Sequence, residues 1–331
     1  MAMGEYEIHV DCRSHDRQLR PELLPLLDPM EDKFQGIRLG YEEWDPADLP
    51  AEAAQLASDS DAAIVVVGRD KEWETEGEDI PIFELPGDQV RLIQEVAAAC
   101  KPTVVVVQAG TPVQMEPWID SVQAVLYTWY QDQELGNAAA AVICGKVNPS
   151  GRLPMTFPRR IEDCPAFSSF PGEDAESYYS EGLFVGYRWW DLLGTMPQFP
   201  LGFGLSYNAL RLVYTAGGTI LTLTCHVSNT GGSDLAGRET VIAWFSQCPP
   251  TKLARPKKQI CGSAKSKPLL PGEEEEVRIE VDFHAFGMFG TKKGAWVIPA
   301  NTRFQILLGT TALDTEVAWV VDVPCEITWS R

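Results

Sequence analysis

Hydrophobic positions fall into two regimes along this chain. From about residue 51 to 205, short unbroken apolar runs alternate with stretches of helical spacing. The runs are AAIVVVG (62–68), TVVVVQAG (103–110) and AVLYTWY (124–130). Around them, PAEAAQLASDSD (50–61), LPGDQVRLIQEVAAAC (85–100) and ELGNAAAAVICG (134–145) read as helices, the second with Leu85, Val90, Ile93, Val96 and Ala97 near one face. A continuous Val/Ile run has no polar side to turn to water, so such strands predict a parallel sheet with helices on both faces. From about residue 207 the period shortens to two. TILTLTCHVSNTGG, ETVIAWFSQ, EEEVRIEVDFH, GAWVIP and RFQILLGTT alternate between turn formers, which predicts an all-β sandwich of the immunoglobulin or fibronectin type. Residues 1–50 are mixed, with two strand-like pieces, YEIHV and GIRLGY. The expected fold class is therefore α/β, a mostly parallel sheet with helices on both faces (51–205), followed by an all-β sandwich (206–331).

Composition removes whole classes of function. A chain of 331 residues, 45% hydrophobic and 22% charged, has the balance of a soluble globular protein with room for two cores. A net charge of −20 offers a phosphate backbone no basic footprint, so no nucleic acid is expected as a partner. No apolar stretch reaches the roughly 18–20 residues of a membrane span. The N-terminus shows no basic segment followed by an apolar one, the eight cysteines are widely spaced, and Asn148 is followed by Pro149 rather than forming a glycosylation acceptor. Reduced thiols and a cytoplasmic location are the expectation. The four histidines are scattered and no CxxC pair occurs, so no metal and no cofactor are expected, and neither a phosphate loop nor a GxSxG elbow is present.

One local pattern asks for chemistry. GRDKEWETEG (68–77) begins where the first apolar run ends, and Glu72, Glu74, Glu76, Glu78 and Asp79 crowd within eight residues. Clustered carboxylates repel one another unless they are solvated or used. They also follow a parallel strand at its carboxyl end, where open α/β sheets build their sites. Trp129 and Tyr130, after the third run, either stack on a ligand or pack in the core. NPSGRLPMTFP (148–158) and GEEEEV (272–277) read as structural turns.

In order and spacing, VVVGRDKEWETEGEDIPIFELPGDQ, VVVQAGTPVQM, WYQDQELGNAAAAVICGKVNPSGRLPMTFP, YYSEGLFVGYRWWD and FPLGFGLSY resemble the C-terminal half of a glycoside hydrolase family 3 β-glucosidase. The tail resembles that family's fibronectin type III-like domain through SNTGGSDLAG, RPKKQICGSAK, LLPGEEEEV and GAWVIP. The resemblance implies domains at 51–205 and 206–331, with 1–50 a stub of an inserted lectin-like domain. It also implies a retaining mechanism with two carboxyl groups about 5–5.5 Å apart, one attacking the anomeric carbon and one protonating the leaving oxygen. The acid/base then falls on Glu72, whose pKa Trp73 and the neighbouring Glu74, Glu76 and Asp79 are expected to raise. Arg69, Asp70, Trp73, Trp129, Tyr130 and Glu181 are the expected substrate contacts, Glu181 alternatively pairing with Arg188.

The family's nucleophile is an aspartate in an N-terminal (β/α)8 barrel of about 250 residues, which these 331 residues do not include. The family's Asp-Arg pair reads Asp79-Ile80 here, removing a cation, Gly68-Arg69-Asp70 replaces GLN, Glu78 replaces an aromatic residue, and WYPGQE has become WYQDQE. No glucosidase activity is expected of the chain by itself. Three readings follow. One is an acid/base catalyst repurposed for cyclisation, isomerisation or dehydration of a small molecule, using Glu72 with Glu74 and Asp79 as its catalytic carboxylates. The others are a non-catalytic binding module and a split hydrolase completed by a barrel chain. A homodimer through the bared surface is expected.

Overall fold

In the computed structural model, residues 48–174, 176–219, 222–248 and 255–330 are described, and the stub expected over 1–50 lies almost wholly outside them. The α/β part opens with α1 (Leu49–Ser58), β1 (Ala63–Gly68), α2 (Gln89–Ala99), β2 (Thr103–Gln108), β3 (Ala124–Tyr127) and α3 (Leu135–Ile143). The three strands are parallel in the order β1-β2-β3, with Ala63 opposite Thr103 and Val104 opposite Ala124. All three predicted runs form strands and all three predicted helices form. Val65, Val67, Val105 and Val107 point from the sheet into one core with Ala57, Ile93 and Val96 of the two helices.

The second face differs from expectation. Side chains alternate across a strand, so Ile64 and Val66 point away from that core, and they are 55% and 59% exposed. Among the described residues α1 and α2 cover one face of β1, while α3 buries none of its side chains. An unbroken apolar run records that both faces avoid water but not which element covers them. One helical layer is what residues 48–330 provide over this strand.

The all-β part contains β4 (Leu210–Thr219), β5 (Thr222–Asn229), β6 (Thr240–Gln247), β7 (Gln259–Lys265), β8 (Glu274–Glu280), β9 (Met288–Gly290), β10 (Ala295–Ile298), β11 (Thr302–Gly309), β12 (Thr315–Val323) and β13 (Ile327–Trp329). Sheets β12-β11-β6-β7 and β4-β5-β8 close on Cys225, Val227, Val241, Phe245, Ile279, Phe304 and Ile306, all nearly inaccessible. A third, small sheet, β13-β10-β9, lies beside them. Strands β4, β7 and β12 carry weaker alternation than the others and escape the sequence pattern.

The two parts are pinned together by buried polar contacts. Arg152, from the NPSGRLPMTFP stretch, grips Glu239 at the start of β6 with Nε 2.9 Å and Nη2 3.0 Å from its two carboxylate oxygens. Both side chains are nearly buried, at 7% and 10% exposed. Helix α4 (Tyr187–Leu193) adds Asp191, which accepts from Lys258 Nζ at 2.6 Å, and the Tyr187 hydroxyl, which accepts the Ile260 N–H at 3.0 Å. Removing one partner of a buried ion pair strands the other charge, at about 3–5 kcal/mol, whereas exposed pairs contribute about 1 kcal/mol or less. Arg152→Ala is therefore expected to lower unfolding stability by that larger amount. Lys293→Ala, which removes the exposed partner of Glu326, should change it little, and equal effects of the two in denaturant titration would contradict this account of the interface.

Candidate functional site

The site grows from the carboxyl end of β1. Gly68 lies so close to β2 that an added Cβ would fall 2.0 Å from the Gln108 carbonyl oxygen, so no side chain fits there. On the outer edge of β1 the Gln89 amide serves Gly68 as a neighbouring strand would: its Oε1 accepts the Gly68 N–H (2.7 Å) and its Nε2 donates to the Gly68 carbonyl (2.9 Å). The Arg69 N–H continues the ladder to the Gln108 carbonyl (2.9 Å). The chain then leaves the sheet in a tight turn closed by Asp70. Its carbonyl accepts from the Trp73 and Glu74 N–H groups (3.0 and 2.9 Å), and its Oδ1 accepts from the Glu72 N–H (2.9 Å). Asp70, expected to touch substrate, thus commits one carboxylate oxygen to shaping the loop.

That turn sends Glu72 and Glu74 in opposite directions. Glu74 goes inward: its carboxylate accepts the Gly110 N–H (2.6 Å), the Thr111 hydroxyl (2.7 Å) and Arg69 Nη1 (3.2 Å). The Arg69 side chain is 1% exposed. It donates to Thr111 Oγ1 (3.0 Å) and, through Nη2, to the carbonyls of Ile82, Phe83 and Glu84 (2.9, 2.9 and 3.0 Å). One guanidinium therefore ties both ends of the acidic loop and its central carboxylate to the end of β2. One expectation changes. Ile80 does not leave the carboxylates without a cation, because Arg69 supplies one to Glu74 from the strand end.

The remaining carboxylates face outward. Glu72, Glu76, Glu78 and Asp79 are exposed, and Glu72, Trp73, Thr75, Glu78, Asp79 and Pro81 line a groove of about 300 Å³. Trp73 also forms one side of a second groove of about 320 Å³, shared with Val66, Asp70, Pro86 and Gln108. The structure thus brings Glu72, Trp73 and Asp79 together as expected and leaves Glu76 off the lining. Carboxylates around an indole edge can accept sugar hydroxyls and move a proton. Among the described residues no group of His, Cys, Asp and Glu side chains is placed to hold a metal.

Trp129 and Tyr130 separate. Trp129 adopts a left-handed backbone, φ +57°, which is rare for so bulky a residue. Its ring packs edge-on against Tyr127 and Phe157, with centroids 5.0 and 5.9 Å away, as part of the core. The ring is partly buried and is not among the residues lining either groove. The twist delivers Tyr130 to the loop, where its hydroxyl donates to the Arg69 carbonyl (3.0 Å) and lies against the Glu74 carboxylate. Burial and the Glu74 charge push the Tyr130 phenol up to about 12. Glu181 is half-buried and forms no ion pair with Arg188, and Glu181 Oε2 and Arg188 Nε are buried without hydrogen-bond partners. The residues that sequence reasoning missed are Gly110 and Thr111, at the end of β2, and Gln89, at the start of α2. Their signal is weak: a glycine after a buried strand, where an added Cβ would meet Glu74 Oε2 at 2.7 Å and Tyr130 Cε2 at 2.9 Å.

Two stretches of the chain match known families. Residues 2–187 match the glycosyl hydrolase family 3 C-terminal domain, and residues 239–312 match a fibronectin type III-like domain. A β-glucosidase of Rhizobium radiobacter is 38% identical over 286 residues, covering 83% of this chain and 34% of its own length. β-Glucosidase B of Emericella nidulans is 39% identical over 307 residues, with 86% and 35% covered. The crystal structure of the Kluyveromyces marxianus β-glucosidase in complex with glucose superposes with a TM-score of 0.81 at 35% identity, over 87% of this chain and 34% of that one. The Bifidobacterium adolescentis family 3 β-glucosidase gives 0.76 at 35%, over 85% and 42%. The chain spans about a third of the length of the curated relatives it matches.

The clamp has a pH signature. Burial alone would raise the Glu74 pKa, but the hydrogen bonds from Tyr130, Thr111, Gly110 and Arg69 outweigh it and hold the carboxyl below its usual range. A depressed folded pKa contributes stability that is present above the unfolded value, about 4.3 for glutamate, and lost as pH falls through the folded one. Glu74→Gln is therefore expected to melt below the wild type at pH 7, and the gap should close as pH falls below about 4. A gap that stays constant down to pH 2.5 would show that Glu74 does not carry this linkage.

Proposed function

We propose, from the premise that this chain belongs to glycosyl hydrolase family 3, that residues 49–331 form the carboxylate-bearing wall of a β-glucosidase-type site. The observation that carries this is the Arg69–Glu74 clamp, which locks a loop of exposed carboxylates at the mouth of the sheet. The groove is solvent-open and lined by Glu72, Glu78 and Asp79. It offers acid, base and hydrogen-bond acceptors but, among the described residues, no enclosure for a sugar, which fits a second wall bearing the nucleophile. The exposed Ile64 and Val66 beside it fit a surface meant for contact. The substrate class is a β-glucoside, as the relatives' names say of those proteins. Within the loop Glu72 is the proposed acid/base, held at the groove by the Asp70 turn.

A second reading, a repurposed acid/base catalyst acting on a small molecule, draws on the same groove, since Trp73 beside Glu72 gives it one apolar wall. Among the described residues the groove at Glu72 is open rather than a closed apolar cavity, which weighs toward the first reading, because proton transfer without enclosure gains little from desolvation.

The test exchanges residues 49–331 for the matching part of the Kluyveromyces marxianus β-glucosidase and measures aryl β-glucoside hydrolysis. The chimera should turn over at rates ordinary for enzymes, about 1 per second or faster, and the 331-residue chain by itself should not. In the chimera, Glu72→Gln should cost about 10²–10⁴-fold in kcat, with Glu78→Gln and Glu76→Gln as comparisons. A folded but inactive chimera would overturn the wall reading. Full activity in Glu72→Gln, with loss in Glu76→Gln, would move the proton transfer to Glu76.

A further inference from the structure

A row of aromatic rings crosses the small sheet of the all-β part, far along the chain from the acidic loop. Trp296 of β10 stands directly opposite Phe289 of β9 and Trp329 of β13. Directly opposed residues project on the same face of a sheet, so the three rings share one side. The two indole planes lie within 12° of parallel with centroids 6.5 Å apart, and Phe289 meets Trp296 edge-on at 5.8 Å. Trp329 is held from beneath. An added Cβ on Gly287 would fall 2.4 Å from its Cη2, and Phe283 and His284 border its ring. The row runs out from the edge of the sandwich core: Ile298, two residues from Trp296, is inaccessible, both indoles are partly buried with Trp329 packed against the core, and Phe289 is 52% exposed. Neither indole N–H has a hydrogen-bond partner among the described residues. The Lys293–Glu326 pair flanks the row on the adjoining turns, and the Asp282–His284 pair stands beside Trp329.

We propose that this row is a surface binding site for a neutral β-linked glucan, separate from the acidic groove. Two parallel indoles with an exposed, edge-on Phe289 beside them present fixed apolar surface at low conformational cost, suited to the C–H faces of pyranose rings. Free indole N–H groups and the charged rim supply donors and acceptors for the equatorial hydroxyls. The net charge of −20 turns away polyanions such as nucleic acids and sulfated glycans, for which the same ring faces would otherwise serve. The choice of glucosyl units rests on the reading of the acidic groove; the platform itself rests only on ring geometry.

Affinity electrophoresis of the 331-residue chain through gels containing soluble β-1,3- or β-1,4-glucan tests this. Retardation by at least one of these glucans is expected. It should weaken about tenfold or more in Trp296→Ala and in Phe289→Ala, since loss of one stacking face typically costs a factor of that order. Phe289→Ala should melt close to wild type, which separates lost binding from lost folding. Glu72→Gln should leave the retardation intact, so the platform can hold even if the groove reading fails. No retardation by either glucan, unchanged retardation in both aromatic variants, or loss in Glu72→Gln instead would overturn the proposal.

Discussion

Everything about the acidic loop depends on one buried cation. A guanidinium 1% exposed is costly to bury unless its donors are used. Arg69 uses its terminal nitrogens on Glu74, Thr111 and three successive carbonyls. Because the loop's first residue is bonded to carbonyls thirteen to fifteen residues on, the segment between has little freedom in where it goes. Glu74 fills the space at the end of β2, Tyr130 seals it from above, and Glu72 and Asp79 are left on the outer side. The outward carboxylates are arranged by an inward one.

The same logic extends to the rest of the molecule. The pair Arg152–Glu239 does for the two parts what Arg69–Glu74 does for the loop: a nearly dry charge contact fixes one element against another, bidentate in the first pair and a single Nη1–Oε1 bond in the second. Together with Lys258–Asp191 and the Tyr187 hydroxyl it ties Arg152 and helix α4 to β6 and the start of β7. On the proposed reading the site gains from that attachment, since misplacing an acid by a fraction of an ångström removes much of its advantage.

Much of this was legible in the chain's pattern. Apolar runs located β1, β2 and β3, helical spacing located α1 to α3, and period-two alternation located five strands of the sandwich. The family resemblance pointed to the acidic loop and is matched by the family comparison. The interior of the site was not legible. Glu72 and Glu74 look alike in GRDKEWETEG, and only the turn at Asp70 decides that one faces the groove and the other Arg69. Trp129 and Tyr130 are likewise adjacent, and a left-handed backbone at Trp129 sends the first to the core and the second to the loop. Nor does an apolar run reveal what covers Ile64 and Val66. Such facts live in backbone direction and long-range contact, which spacing along a sequence does not encode.

The central claim is that Arg69 sets the loop. Amide hydrogen exchange of the wild type and Arg69→Met tests it most directly. The Gly110 N–H, bonded to Glu74, and the Trp73 and Glu74 N–H groups, bonded to Asp70, should be protected in the wild type. In Arg69→Met they should exchange far faster while those of Val105 and Val107 in β2 stay protected. Equal protection of the loop amides in both proteins would contradict the account.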